Sequence, residues 1–222
     1  MPPSSSPVTS GRSRLFWRVY PSVYDRLWDQ PLTDYLACRV ANAVQGAGLS
    51  DVLEIGAGTG LITRRLEQAD INLVVSEPNP RMRERATRRL TSCPISSHSL
   101  SDWVTLASTP SHPRTVVAAN VVHLATDRSH MLELLRRVAG QGGAVIVLTP
   151  ADGANLARTV TAIRRRGGSW LKCLEFLALH LLLTPLIALT SDLRRRRQRS
   201  QVEGFVYREL IDDVSVLDVY RN

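Results

Sequence analysis

This chain of 222 residues contains few cysteines and no lengthy apolar stretch at its start, and both features exclude classes of protein. The three cysteines, Cys38, Cys93 and Cys173, lie far apart and form no Cys-x-x-Cys or His/Cys spacing. We therefore expect no disulfide scaffold and no metal site, but free thiols in a reducing cytoplasm. Residues 1–14 are rich in proline and serine and lack the apolar segment of a secretory signal, which predicts a disordered tail.

Lysine is almost absent although the chain is basic. Lys172 is the one lysine among 28 basic residues, which face 20 acidic ones and give a formal net charge of +8. Such a balance is compatible with a nucleic acid or an anionic membrane as partner, and equally with a solvated basic surface. The length suits a single α/β domain with a sizeable core.

The most informative stretch is DVLEIGAGTG, residues 51–60, a short strand that carries an acid and runs into a three-glycine loop. Glycines let the backbone turn sharply and pass close to a ligand. A dinucleotide fingerprint would have its third glycine at position 61, where Leu61 stands, and a phosphate-binding loop would end in Gly-Lys-Ser/Thr. Neither pattern is present, so the loop does not predict a pyrophosphate site.

The remaining pattern, acid-x-Gly-x-Gly-x-Gly after a strand, resembles motif I of the class I S-adenosylmethionine (SAM)-dependent methyltransferases. SAM carries a sulfonium and an ammonium group, so carboxylates at the rim of its site attract it. A structural strand-turn-helix without a ligand is the alternative. The resemblance implies SAM as cofactor, held by Glu54 and by the loop residues Gly56, Ala57, Gly58 and Gly60.

Glu77 follows the second predicted strand, 71–76. An acid at that place can accept hydrogen bonds from ribose hydroxyls. It could instead cap the next helix, because Pro78–Pro80 supply helix-start signals. The run SEPNPRM, residues 76–82, resembles the segment after motif I in small-molecule and lipid methyltransferases, which implies that Glu77 and Pro78 contact SAM.

Three polar residues follow the later strands. The family usually contacts adenine through an Asp after the third strand, and Asp102 is the candidate, although it could instead cap the helix expected at Trp103. The run NVVHL, residues 120–124, resembles the methyltransferase-11-like families and departs from the Asn/Asp-Pro-Pro-Tyr motif of nucleic-acid and protein amide N-methyltransferases. We expect Asn120 at the cofactor, and His123 as a base or as a structural histidine beneath the cofactor.

The segment 15–47 is predicted to be helical and is unusually aromatic. Pro21 is expected to start a new helix within it. Tyr24 to Trp28 resembles the Tyr-Asp-x-x-aromatic segment of many class I methyltransferases, whose tyrosine reaches the SAM site. We expect a lid with Tyr24 at the cofactor and Tyr20 and Trp28 at the substrate, or else a stripe that simply packs on the sheet. The aromatic residues of the segment are Phe16, Trp17, Tyr20, Tyr24, Trp28 and Tyr35.

The regular alternation over 51–150 predicts an α/β fold: a Rossmann-like, mainly parallel sheet with helices on both faces. Residues 151–204 are expected to form an apolar and basic helical cap inserted after the fifth strand. For 205–222 we predict a helix over 205–213 and one strand over 214–219, which is one strand fewer than the family's usual C-terminal hairpin. The predicted elements of the core are strands 51–55, 71–76, 95–98, 115–119 and 144–148 and helices 60–68, 79–90 and 127–139.

The apolar part of the cap, 169–190, indicates the kind of substrate. Its longest uncharged run, 176–190, is shorter than the roughly 20 residues that span a bilayer. It could roof an apolar pocket through Leu174 and Leu177, form a homodimer contact, or lie on an anionic membrane surface, because arginine clusters flank it.

These observations favour methyl transfer to a hydrophobic small molecule, such as a natural product, a quinone or a lipid headgroup. We expect the protein in the cytoplasm or at the inner face of the membrane, with nucleic acid disfavoured as a partner. An RNA methyltransferase, suggested by the +8 charge, and a SAM-binding protein that does not methylate are the alternatives.

Overall fold

The computed structural model describes residues 11–107, 114–189 and 204–222. They form one seven-stranded sheet with helices on both of its faces. The strands are β1 (Asp51–Ile55), β2 (Asn72–Ser76), β3 (Ile95–Ser96), β4 (Thr115–Ala119), β5 (Ala144–Pro150), β6 (Phe205–Ile211) and β7 (Ser215–Arg221). The helices are α1 (Gly11–Trp28), α2 (Pro31–Ala47), α3 (Thr63–Leu66), α4 (Pro80–Arg89), α5 (Leu100–Leu106), α6 (Arg128–Ala139), α7 (Leu156–Arg165) and α8 (Trp170–Leu189).

The strand order is β3-β2-β1-β4-β5-β7-β6. The first five strands of that order are parallel, β7 is antiparallel to β5, and β6 is antiparallel to β7. From β1 the chain adds β2 and β3 on one side, and then β4 and β5 on the other side, so the strand order reverses between the neighbouring strands β1 and β4. In open parallel sheets, ligands bind at such a reversal, beside the carboxyl ends of the strands. The predicted Rossmann-like fold is confirmed.

Helices cover both faces of the sheet, so the central strands are apolar without a break. Val145 and Ile146 are neighbours on β5, both fully buried, yet they belong to different cores. Ile146 belongs to the core that includes Val40 of α2 and Phe176 of α8, whereas Val145 belongs to the core that includes Leu135 of α6. Continuous apolar strands of this kind are typical of a parallel sheet buried on both sides.

The N-terminal helices differ from the prediction in where they break. Pro21 lies inside α1, which continues to Trp28, and the chain breaks at Gln30 instead. Pro31 opens α2, where a proline is favoured because its missing N–H would have no intrahelical partner. The predicted helix 60–68 is also shorter: α3 covers only Thr63–Leu66.

The prediction for the C-terminus is wrong, because residues 205–211 form strand β6 and complete a hairpin with β7. Asp212 and Asp213 take positive φ angles of 50° and 58° in the turn, and Val214 N–H donates to the Ile211 carbonyl. Two such residues form the tight turn that matches the twist of a hairpin. Across the pair, the Arg208 guanidinium donates two hydrogen bonds, of 2.6 and 2.8 Å, to the Asp218 carboxylate.

Some of the sequence predictions fall outside the described residues. They include the tail over 1–10, the arginines 194–197 and 199, and the side chains of Phe16 and Trp17. Of the predicted tail, residues 11–14 belong to α1.

Gly143→Ala tests how tightly β5 is packed at its start. A Cβ at Gly143 would lie 2.2 Å from the Ala139 carbonyl oxygen, whereas one at Gly46, in α2, would meet nothing within 4 Å. Gly143→Ala should lower the free energy of unfolding by about 2 kcal/mol or more. The control, Gly46→Ala, should raise it by about 0.5 kcal/mol because alanine is the better helix former. Urea denaturation measures both, and equal effects would contradict the assigned packing.

Candidate functional site

The glycine loop between β1 and α3 is held against the end of β2 by its backbone. Gly56 N–H and Ala57 N–H both donate to the Ser76 carbonyl, at 2.8 and 3.1 Å. Gly56, Gly58 and Gly60 have φ angles of 71°, 60° and 81°, a region in which other residues are strained. The three glycines are thus required by the shape of the loop itself.

The glycines differ in what lies beside them. A Cβ at Gly56 would be 2.7 Å from a methyl carbon of Val121, and one at Gly60 would touch α4. At Gly58 a Cβ would meet no atom within 4 Å. The loop therefore packs closely at its two ends and leaves open space beside its middle, where a ligand can approach the backbone.

Glu77 closes the other side of this space. Its Oε2 accepts a 2.8 Å hydrogen bond from Gly58 N–H, and its Oε1 accepts one of 2.7 Å from Asn79 N–H. Burial raises the pKa of the Glu77 carboxyl, and these two donors oppose the shift. The residue that caps α4 is Asn79, whose side chain accepts from the backbone N–H groups of Arg81 and Met82. Glu77 is thus not the cap, and Pro78 lies directly between it and Asn79.

Glu54 is a second acid near the loop, on β1, and is almost completely buried. Its Oε2 has no hydrogen-bond partner among the residues that the structure describes. Burial raises the pKa of the Glu54 carboxyl to about 7. Burying a carboxyl oxygen without a hydrogen-bond partner is unfavourable for stability, and an ammonium group would supply both a donor and an opposite charge. The two acids and the open side of Gly58 fit the amino-acid and ribose parts of SAM.

The C-terminal half of α1 approaches the same acids. Burial raises the pKa of the Tyr24 hydroxyl, and the nearby charges of acidic groups, Glu77 among them, add to the shift. Tyr20 and Tyr24 make an edge-to-face contact at 5.4 Å, and Trp28 Nε1 donates to the Tyr20 hydroxyl at 3.2 Å. The three aromatic residues predicted to form a lid therefore lie together on α1, with Tyr24 near Glu77.

A polar network ties α1 to the glycine loop and to α4. The Thr59 hydroxyl donates a 2.6 Å hydrogen bond to Asp25 on α1. The Arg89 guanidinium, on α4, donates to the Asp25 carboxylate at 3.1 Å and to the Thr59 carbonyl at 2.5 Å. Arg89 also pairs with Asp29 at 3.2 Å, and Arg85 pairs with Asp25 at 3.2 Å. We call these five residues the α1 latch.

The segment after β4 supplies two further side chains. Asn120 has a φ angle of 56°, which asparagine tolerates better than most residues, and its N–H donates to the Leu148 carbonyl at 2.7 Å. His123 lies in a 3₁₀ turn, Val122–Leu124, and its buried Nδ1 has no partner within the described part of the chain. Burial, and to a lesser extent the charge of Arg128, lowers the pKa of His123 to about 4. The imidazole is therefore neutral at pH 7.

Asp102 serves as part of a helix cap. Ser99 is the N-cap of α5, and its N–H and hydroxyl both donate to the Asp102 Oδ2 at 2.7 Å. These hydrogen bonds lower the pKa of Asp102, which lies at the surface. The structural alternative for Asp102 is thus present, and its contact with adenine stays a prediction.

Helix α8 packs on α1, the helix predicted to form a lid. Phe176 contacts Trp28 edge-to-face at 5.7 Å, and Glu175 accepts a 2.9 Å hydrogen bond from Arg26. Of the two predicted pocket residues, Leu177 is half-buried and Leu174 is 61% exposed. Leu174 lies on the opposite side of the helix from Phe176, so the structure does not bring it to the site.

Sequence reasoning missed Asp25, Thr59 and Arg89 as site residues. Asp25 stands within the Tyr-Asp motif, so a signal for it existed, but the motif says nothing of its partner. Residues 64–65 and 81–89 contain seven arginines, and no spacing distinguishes Arg89 from the other six. Its role appears only when α4 is placed beside α1.

Residues 53–145 match the model of a family described as a methyltransferase domain. A 109-residue segment is 28% identical to a protein of Exiguobacterium sibiricum described as an uncharacterized methyltransferase. The matched segment covers 48% of this chain and 49% of that protein, so the chain spans about half the length of the curated relative it matches.

Solved structures share the fold over nearly the whole chain. A SAM-dependent methyltransferase from Anabaena variabilis is 11% identical with a TM-score of 0.62, covering 95% of this chain and 93% of that one. Magnesium protoporphyrin IX methyltransferase from Synechocystis with bound SAH is 14% identical with a TM-score of 0.55, covering 94% and 99%. DhpI in complex with SAH is 20% identical with a TM-score of 0.56, covering 95% of each chain. The expected class I methyltransferase fold is confirmed over nearly the whole chain, and the match to a methyltransferase domain covers residues 53–145.

Arg89→Gln tests the α1 latch. The substitution removes the charge that Asp25 and Asp29 share, and the Arg89 side chain is only 17% exposed. It should lower the free energy of unfolding by about 1–3 kcal/mol and speed amide hydrogen exchange in α1. Arg88→Gln is the matched control, because Arg88 is 74% exposed and pairs only with Glu84 among the described residues. Equal exchange rates in the two variants would contradict the latch.

Glu54→Gln tests the buried acid through the pH dependence of stability. Because the folded-state pKa of Glu54 is raised to about 7 from 4.5, its burial is tolerated below pH 4.5 and becomes unfavourable as the pH rises to 7. The free energy of unfolding of the wild type should fall, relative to Glu54→Gln, by roughly 3 kcal/mol between pH 4.5 and 7. Urea titrations at several pH values measure this difference. Parallel curves for the two proteins would show that the Glu54 pKa is not raised.

Proposed function

We propose that this chain, which carries a methyltransferase domain of class I fold, transfers the methyl group of SAM to a hydrophobic small molecule. The observation that carries the proposal is the pairing of the open side of Gly58 with the carboxylates of Glu77 and Glu54. When bound, SAM would supply an electrophilic methyl group on a sulfonium, so that an acceptor atom attacking the methyl carbon in line would release S-adenosylhomocysteine. The residues of the chain bind and orient the two reactants.

Charge supports SAM as the ligand of this loop. The N–H groups of Gly56, Ala57 and Gly58 already donate to Ser76 and Glu77, so they are not free to cradle an anion. The side chains around the loop add two carboxylates, which favour a cationic ligand. Glu77 would accept from the ribose hydroxyls with its remaining lone pairs, and Glu54 would pair with the ammonium group.

The aromatic lid supports a hydrophobic substrate such as a natural product, a quinone or a lipid headgroup. Tyr20 and Trp28 on α1 and Phe176 on α8 form an apolar cluster, and Tyr24 on the same helix α1 lies near Glu77. A closed lid of this composition excludes water from the reacting atoms, and the acceptor and methyl group are then held in line. The α1 latch positions this lid over the loop.

His123 would accept a hydrogen bond from the acceptor group rather than hold a proton for long. Its neutral imidazole has an unpaired buried Nδ1, but a pKa of about 4 makes it a weak base. This favours an acceptor that reacts as a neutral nucleophile and loses its proton late. Asn120, at the end of β4, would contact the cofactor.

We place the protein in the cytoplasm, as its free cysteines suggest, and regard homodimer formation as compatible with it. Within the described residues no helix is long and apolar enough to cross a membrane. RNA is the less favoured substrate, because the residues after β4 depart from the motif of nucleic-acid methyltransferases.

Isothermal titration with SAM tests the proposed function. The wild type should bind SAM, and Glu77→Gln should weaken binding about 10- to 100-fold because it removes charge-assisted hydrogen bonds. Gln keeps one of the two acceptor oxygens, which can still accept from Gly58 N–H while Asn79 N–H loses its acceptor, so circular dichroism should confirm that the variant is folded. Glu84→Gln, an exposed change on α4, should leave SAM binding unchanged.

If the folded wild-type protein does not bind SAM, the proposed function is wrong. Unchanged affinity in Glu77→Gln would overturn only the ribose assignment. A screen with labelled SAM over lipid extracts and aromatic metabolites then identifies the acceptor, and incorporation into RNA instead of either pool would reverse the choice of substrate class.

A further inference from the structure

Helix α8 has two apolar faces, one buried and one exposed to solvent. Its inner face carries Cys173, Phe176 and Leu183, which are buried against α1 and the sheet. Its outer face is exposed, with Leu171 at 77% and Leu182 at 73% of their full exposure. The outer face consists of Trp170, Leu171, Leu174, Ala178, Leu181 and Leu182, and we call it the outer α8 face. Contiguous exposed apolar residues on this scale mark an interaction surface.

The charges beside the outer α8 face are almost all positive. From residue 156 to 189 the sequence contains four arginines and Lys172, and one acid, Glu175. Glu175 already pairs with Arg26 at 2.9 Å and with Lys172 at 3.5 Å. At the start of the helix, the Arg164 guanidinium lies 4.6 Å above the exposed ring of Trp170. The surface thus combines apolar side chains with cations at its border.

We propose that the outer α8 face docks on an anionic lipid bilayer, with α8 lying in the plane of the interface. Leucine side chains would enter the boundary between headgroups and acyl chains, while Arg164 and Lys172 would contact anionic headgroups. Trp170 lies at the N-terminal end of the outer α8 face, and tryptophan favours the interfacial region of membranes. Docking of this kind goes beyond methyl transfer and does not depend on it.

Charge favours the bilayer over a second copy of the chain. In a symmetric dimer, the same patch would meet itself, so a basic surface that includes Arg164 and Lys172 would face another basic surface. Helices α7 and α8 carry one acid over residues 156–189, Glu175, and it is already paired, so no carboxylate of these two helices would offset that repulsion. An anionic surface meets the same cations with opposite charge.

The position of α8 also connects the bilayer to the site. Phe176 on its inner face contacts Trp28 of the lid at 5.7 Å, so a docked α8 would place the lid next to the membrane. A hydrophobic acceptor could then enter from the lipid phase without crossing water. This extension rests on the proposed function, whereas docking itself is measurable without SAM.

Co-sedimentation with vesicles tests the proposal. The full-length protein, without SAM, should bind phosphatidylcholine vesicles that contain about 30 mol% phosphatidylglycerol, and bind pure phosphatidylcholine much less. Arg164→Gln/Lys172→Gln should bind the anionic vesicles about 30-fold more weakly, since each cation near such a surface contributes about a factor of five. Leu171→Glu/Leu182→Glu should lose binding to both.

Leu106→Glu/Leu210→Glu is the matched control, because both leucines are more than half exposed but lie outside α8. It should bind vesicles as the wild type does, and circular dichroism should show all variants folded. Equal binding by the wild type and the α8 leucine variant would overturn the proposal. So would a concentration-dependent dimer, seen by analytical ultracentrifugation, that the leucine variant alone abolishes while vesicle binding is absent.

Discussion

The hydrogen bond from Gly58 N–H to the Glu77 carboxylate sets the character of the site. With the bonds from Gly56 and Ala57 to the Ser76 carbonyl, it uses the backbone donors at the start of the loop. Glycine loops that bind phosphates keep such donors free and direct them at the anion. Here these N–H groups donate to protein acceptors, and the Glu77 carboxylate, which follows β2, lies beside the loop. The same strand-loop-helix arrangement therefore favours a cation.

Burying the carboxylates of Glu77 and Glu54 is unfavourable, and hydrogen bonds offset this cost more fully for Glu77 than for Glu54. Glu77 has backbone donors on both oxygens, so its burial is partly offset. Glu54 has one oxygen without a partner in the described structure, and its pKa is raised to about 7. An incompletely satisfied buried acid at the end of a central strand is typical of a binding site rather than of a core.

The α1 latch links the loop to the helix that covers it. Thr59 stands between two of the loop glycines, and it contacts Asp25 through its hydroxyl and Arg89 through its carbonyl. A loop of glycines has little stiffness of its own, since glycine allows many backbone conformations. The latch restrains it from outside. Lid position and loop shape are thus parts of one network, and each affects how well the other is ordered.

Residues with local determinants could be predicted from the sequence. Strands β1, β4 and β5 are apolar runs bounded by turns, and the glycines of the loop follow a fixed spacing. The sequence alone therefore predicts these three strands and the glycine loop. Arg89 could not be predicted, because its partners Asp25 and Thr59 lie 64 and 30 residues away and nothing local distinguishes it from other arginines. The neutral state of His123 arises from burial, which spacing does not reveal.

The wrong prediction at strand β6 has the same origin as the failure to predict Arg89: contacts between residues distant in sequence decide the structure. The sequence predicts a helix over 205–213, whereas the structure has strand β6, in which Phe205, Val206 and Tyr207 are all exposed at the edge of the sheet. Its pairing with β7, supported by the Arg208–Asp218 contact, decides its conformation. Propensity for strand or helix is weak where tertiary contacts supply most of the stability.

Helix α8 shows why an apolar segment alone does not state its environment. Its sequence is apolar all round, which usually indicates a helix buried on every side. In the structure only the side of Phe176 is covered, so Leu171, Leu174 and Leu182 remain in contact with water at an unfavourable free energy of roughly 25 cal/mol per Å² of apolar surface. Whatever covers these leucines recovers that free energy. On the opposite side of the same helix, Phe176 contacts Trp28, so the exposed leucines and the aromatic residues of α1 are separated by a single helix.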